Sequence, residues 1–138
     1  MSYSISLTDP VSGETLALDE PHQMRGGTYC MGGSTDASLN VTWNYGAHYY
    51  RLFPGRENTS VAVAVRLGLQ QGERLGGIRS IYGLTGAESI PVLQAVIAQL
   101  GDDVDSNYWT GTEGNAKRAL TQLLALARLR PDGVWSGD

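Results

Sequence analysis

Thr85-Gly86-Ala87-Glu88-Ser89-Ile90-Pro91-Val92-Leu93 and Thr110-Gly111-Thr112-Glu113-Gly114-Asn115-Ala116-Lys117-Arg118-Ala119-Leu120 are the two stretches that decide the fold. Each opens on Thr-Gly-x-Glu. In that pattern the Thr hydroxyl accepts from the backbone N–H three positions on, and the Glu carboxylate accepts from the Thr N–H, a reciprocal capping box. Apolar residues then recur every three or four positions: Ile90, Leu93, Val96, Ile97 and Leu100 in the first run, Ala116, Ala119, Leu120, Leu123, Leu124 and Ala127 in the second. That spacing puts them on one side of a helix. It predicts amphipathic helices over residues 87–100 and 113–130. Pro91 falls in or close to the first turn, where its missing N–H costs little, and Gly101 in one case and Pro131 with Gly133 in the other end the run.

Working outward toward the N-terminus, the period changes from helical to two. Residues 3–7 and 15–18 alternate polar and apolar about Asp9-Pro10-Val11-Ser12-Gly13, which reads as an opening hairpin. Residues 28–31 read as a short strand broken by Gly32-Gly33. Residues 37–45 form the clearest strand, with Leu39, Val41, Trp43 and Tyr45 set against Ser38, Asn40, Thr42 and Asn44. Residues 48–53 either continue extended or turn into a short helix. Residues 60–69 alternate Val61, Val63, Val65, Leu67 and Leu69 with small or polar residues and read as a strand, residues 70–77 as an exposed loop, and residues 78–82 as a brief element before the first cap. Residues 134–138 are too short for an element of their own, with Trp135 docking on the body. Strands followed by a helix pair predict one α+β domain over residues 1–138, an antiparallel sheet with two C-terminal amphipathic helices packed on one face. The other face would be covered by a second copy or line a pocket.

A chain of 138 residues with 41% hydrophobic content can bury a core without staples. A formal net charge of −4 is the wrong sign for a surface that tracks a nucleic-acid backbone. Cys30 is the sole cysteine and can form no internal disulfide, and the sequence shows neither a leader nor a long apolar span. The expectation is a cytoplasmic protein with no membrane partner. His22 and His48 are too far apart for a local metal motif, so neither a metal nor a cofactor is expected.

Two constellations carry chemistry. At the helix starts lie Arg79, Tyr82 and Thr85 on one side and Tyr108, Trp109 and Asn115 on the other. Helix N-termini and Arg favour negative charge, aromatic faces stack on flat rings, and Asn reads a polar edge. The competing reading is that the aromatics staple helix entrances and Arg79 pairs with a surface carboxylate. The second constellation is the cluster Trp43-Asn44-Tyr45-Gly46-Ala47-His48-Tyr49-Tyr50, in which Asn44 and His48 are the members expected to touch a ligand. Here core and dimer packing compete with a pocket. His22 or His48 with Glu88, Glu113 or Asp36 would supply a general base only if tertiary folding brought them together, and no nucleophile elbow or phosphate-binding glycine loop is present. The sequence leans away from an enzyme, and no catalytic residue is assigned.

The segments at residues 7–15, 77–91 and 112–120, with Arg130-Pro131-Asp132-Gly133-Val134-Trp135, resemble a family of small phage and prophage proteins. The likeness covers most of the chain and is thinnest over residues 54–75. It transfers no functional residue. A phage setting implies comparison with small acidic proteins, often oligomeric, that capture host nucleotide immune signals. The resulting expectation is a non-catalytic homo-oligomer in the host cytoplasm that sequesters a small anionic nucleotide-like ligand through His22, Trp43, Asn44, Tyr45, His48, Arg79, Tyr82, Thr85, Tyr108, Trp109 and Asn115. The alternatives are an enzyme that cleaves such a signal and an inhibitor that binds a host defence protein.

Overall fold

The structure, a computed structural model, describes residues 1–26, 33–70 and 72–138. The expected strand at residues 28–31, and Cys30 with it, lies outside the described residues. β1 (Ser2–Thr8) alternates as its sequence requires: Tyr3, Ile5 and Leu7 are buried while the serines between them face outward. β1 is the middle strand of an antiparallel three-stranded sheet, between β4 (Ser38–Thr42) and β7 (Val134–Gly137). Opposite residues match side for side, with Ile5 across from Leu39 and Leu7 across from Trp135. The protein is therefore α+β with antiparallel sheets.

The opening hairpin forms only at its tip. Asp9 Oδ1 accepts from the N–H groups of Val11 and Ser12, Gly13 takes φ of 74°, and Leu16 N–H donates to Leu7 O at 2.9 Å. Both edges of β1 then go to β4 and β7, so β2 (Ala17–His22) leaves to pair with β3 (Ser34–Asp36) in a separate ribbon. Residues expected to end the chain without an element instead make β7. Trp135 docks as expected, fully buried, but inside a strand that is bonded on its other side to Gly83 and Leu84.

Residues 43–45, expected as strand, are a 3-10 turn, because Thr42 Oγ1 accepts from Asn44 N–H and stops the extended run. The turn leaves Tyr45 buried and Trp43 exposed. The choice left open for the next segment falls to a helix, α1 (Gly46–Leu52). Residues 60–69, expected as strand, are corrected to a helix, α2 (Val61–Leu67). Ser60 Oγ caps its start by accepting from Val63 N–H, and Gly68 closes its end in the left-handed region at φ of 67°. A period of two is there an accident of composition: Val63 and Leu67, four apart, face inward, while Val61 and Val65 stand 79% and 78% exposed. The expected loop that follows carries a two-residue strand, β6 (Arg74–Leu75), paired with β5 (Arg56–Glu57), and residues 77–81 form a second 3-10 turn.

Both long helices stand as expected, α3 (Gly86–Ile97) and α4 (Glu113–Leu129). The Thr85–Glu88 capping box is complete, with Thr85 N–H donating to Glu88 Oε1 at 2.9 Å and Glu88 N–H to Thr85 Oγ1 at 3.0 Å. The second box is corrected. Thr112, not Thr110, caps α4 by accepting from Asn115 N–H, and the Glu113 carboxylate turns to Gly101 N–H. The Thr85 hydrogen bonds hold the Glu88 carboxyl below the usual glutamate range, first through the backbone donor. A depressed folded pKa means the contribution to stability is complete above the ordinary value of about 4.3 and is lost as pH falls through the lowered one. Acid titration of thermal unfolding is expected to show this loss, and Glu88→Gln to flatten that part of the profile. An unchanged profile would show that the cap adds nothing.

α3 and α4 pack against each other, and α4 also touches β4 and α1. Their approach is close at both ends. A Cβ on Gly86 would lie 2.6 Å from Arg130 O, and one on Gly114 would lie 2.6 Å from Val104 N. The start of α3 therefore meets the end of α4, and the start of α4 meets the loop leaving α3. The helices are antiparallel, and the buried residues of sheet and helices form one core.

Candidate functional site

The antiparallel pairing decides against the two-tip anion pocket. With its start of α3 docked beside the far end of the 17-residue α4, the two helix starts are about 25 Å apart. Thr85 is engaged in its own cap, and Tyr82 is fully buried, donating to the main-chain oxygen of Asp138 at 3.3 Å. Burial raises the Tyr82 hydroxyl well above its ordinary pKa, so it stays a neutral phenol.

A second group of expected site residues is assembled, but as a clasp. Asn44 Nδ2 donates to Trp109 O at 2.6 Å, the Tyr45 hydroxyl to Tyr108 O, and His48 Nε2 to Gly111 O at 2.8 Å. Burial pushes the Tyr45 hydroxyl up to about 12, which keeps it a donor. From the other side Asn115, almost fully buried, accepts from Asp105 N–H and donates to Asn107 O and Thr110 O. These bonds hold residues 105–111 against α1 and α4. The rings of Tyr108 and Trp109 lie 5.5 Å apart, with the Arg25 guanidinium 5.8 Å from the Tyr108 ring. His22 sits elsewhere, its Nε2 bonded to Asp36 O and its Nδ1 accepting from Met24 N–H.

The structure brings Trp43 and Arg79 together with two residues the sequence did not single out, Tyr3 and Tyr50. They line an open recess of about 330 Å³ with Gly46 and Ala47. Arg79 is delivered by the 3-10 turn at residues 77–81, which Arg56 fixes by donating to Ser80 O and Tyr82 O. Its guanidinium lies 5.5 Å from the Tyr3 ring centroid, and its Nε donates to the main-chain oxygen of Asp138 at 2.9 Å. The two ion pairs among the described residues are Lys117–Asp102 and Arg130–Asp132, so Arg79 is not neutralised by a side-chain carboxylate there. Trp43 stands 5.9 Å from Tyr3 and is 43% exposed, and Tyr50 is 59% exposed. Burial, and then the neighbouring Tyr50, raise the Tyr3 hydroxyl pKa against the opposing pull of Arg79. Among the described residues the only charge in the lining is therefore positive.

Among the described residues four larger hollows lack that chemistry. One of about 560 Å³ has Arg66 and Asp9 but only the buried ring of Trp135, and one of about 570 Å³ has neither ring nor cation. A third, of about 550 Å³, combines Asp19, Glu20 and His22 with Arg130, whose guanidinium is already bound to Asp132. The fourth, of about 810 Å³, runs along the exposed valines of α2 and carries Glu57 but no cation. Exposed ring surface and a guanidinium in no side-chain ion pair among the described residues coincide at the smaller recess.

Tyr3 was missed because an alternating strand marks its aromatic as core, and only the tertiary fold brings Arg79 over its ring. Tyr50 belonged to the quoted aromatic cluster, yet nothing in that run tells which ring faces outward. Among the described residues no helix is long and apolar enough to cross a membrane, and no group of three or more His, Cys, Asp or Glu is placed to hold a metal ion. No protein-family model, no curated protein and no solved structure matches the chain.

Proposed function

We propose that this is a non-catalytic binding protein that sequesters a small anionic nucleotide-like ligand in the recess formed by Tyr3, Trp43, Tyr50 and Arg79. The observation that carries the reading is the Arg79 guanidinium, in no ion pair with a side-chain carboxylate among the described residues, lining one recess with the exposed rings of Trp43 and Tyr50. A flat ring gains stacking area on Trp43 or Tyr50, and a guanidinium offers a planar fork to phosphate or carboxylate. Holding is favoured over cleaving because both imidazoles are used within the fold. His22 and His48 each have both ring nitrogens hydrogen-bonded, His48 Nδ1 to Arg51. In the phage setting that the resemblance implies, the captured molecule would be a host immune signal. The reading includes self-association, for which the exposed Val11, Val61 and Val65 supply apolar surface.

Native mass spectrometry of protein purified from cells tests both parts. The expected spectrum shows an oligomer with a retained small molecule, and Arg79→Ala weakens retention by about 10- to 100-fold, the worth of a hydrogen bond to a charged group. Retention unchanged in Arg79→Ala would remove the recess from the site.

A further inference from the structure

The recess offers one charged group and two exposed rings among the described residues. Of its six lining residues Arg79 alone is charged, and the chain as a whole carries a net charge of −4. A polyphosphate would meet only one compensating cation among the described lining residues, on a chain of net negative charge. Its volume of about 330 Å³ also lies at the bottom of the range for small-molecule sites, roughly 300–1,000 Å³.

The stacking platform is held in place on one side. A Cβ on Gly76 or Gly77 would fall 3.2–3.3 Å from the Tyr50 ring, so that ring lies directly on bare backbone. Gly77 takes φ of 60°, a conformation that glycine adopts without strain. With part of its ring against the two glycines and more than half its surface exposed, Tyr50 offers ring surface at the recess. Trp43 supplies a second exposed ring, and Arg79 stands over Tyr3 in the same lining.

Building on the binding reading above, we propose that the recess selects nucleoside monophosphates, one base and one phosphate, over nucleosides, triphosphates and dinucleotides. The base lies on Tyr50 or Trp43 and the phosphate pairs with Arg79.

The test is calorimetric titration of the purified protein, stripped of any retained molecule, with adenosine and guanosine, their 5′-monophosphates, their triphosphates and the corresponding cyclic dinucleotides. At least one monophosphate is expected to bind about tenfold or more tightly than its nucleoside, which lacks the anion, and than its triphosphate and dinucleotide. Tyr50→Ala and Trp43→Ala change exposed rings, and at least one of them is expected to weaken that monophosphate by about tenfold or more, the scale of one stacked base. Circular dichroism of both variants checks that they remain folded. A triphosphate or dinucleotide that binds as tightly as the monophosphate overturns the single-charge selection and leaves the binding reading standing. A monophosphate that binds both ring variants as well as the parent removes the stacking platform. No binding by any member of the set overturns this proposal and the nucleotide reading with it.

Discussion

Trp135→Ala is expected to lower stability by about 3–5 kcal/mol, the usual cost of deleting a large buried aromatic. The side chain is fully buried opposite Leu7, and its Nε1–H donates to Ser89 Oγ at 2.7 Å. The Ser89 hydroxyl is itself committed as donor to Gly86 O in the first turn of α3. One indole therefore joins β7, where it lies opposite Leu7 of the central strand, to the start of a helix. Its strand is bonded on both edges, to β1 and to residues 83–85, so the loss cannot be confined to a fraying end. Trp135→Phe keeps most of the apolar area and gives up the hydrogen bond, at about 1–2 kcal/mol. Urea unfolding of the three proteins measures both steps. A domain of this size has about 5–15 kcal/mol in total, so the alanine variant stands near the edge of folding at 37 °C. An alanine midpoint indistinguishable from the parent would show that β7 is not integral to the core.

Asn115→Ala is expected to cost about 3 kcal/mol, because it strands several partners at once. Asn115 Oδ1 accepts from Asp105 N–H and from Arg118 Nη2, and Nδ2 donates to Asn107 O and Thr110 O. All four contacts are intramolecular, and the side chain is almost fully buried. The residue therefore acts as a pin for the loop that carries Tyr108 and Trp109. Hydrogen exchange distinguishes this from a ligand-reading role. In Asn115→Ala the amides of residues 105–111 are expected to lose protection while those in the middle of α4 keep theirs. Loss of ligand retention with unchanged loop protection would instead return Asn115 to the site.

The contrast between Asn115 and Arg79 explains how much of the site was legible. Residue type alone suggested both, since amides and guanidinium groups serve ligands well. What separates them is whether the fold itself uses their hydrogen-bonding groups. Asn115 is spent on three backbone partners and Arg118, while Arg79 gives one N–H to a backbone oxygen and faces no side-chain carboxylate among the described residues. Asn44, Tyr45 and His48 resemble Asn115 in this respect, each bonded to a carbonyl in the loop at residues 108–111. Clustering in sequence left core, interface and pocket roles open for the aromatics at residues 43–50, and the structure buries Tyr45 and Tyr49 while exposing Trp43 and Tyr50. It gave no sign that Asn44, Tyr45 and His48 clamp a loop while Trp43 and Tyr50 line a recess.

By itself the sequence determined the α+β class, the two amphipathic helices and the cap that starts the first of them, because helical period and capping are local. Their signals lie within a few residues of where they act. The same locality misled at residues 60–69, where a two-residue period competed with a Ser60 cap and a Gly68 stop that favour a helix. Only the tertiary structure decided the strand order β4-β1-β7, the antiparallel helix pair that separates the two starts, and the meeting of Tyr3, Trp43, Tyr50 and Arg79. Those depend on partners up to 134 positions apart, as between Ser4 and Asp138, and on which polar groups remain after the backbone has been satisfied. A single chain of letters carries no record of that accounting until the core closes.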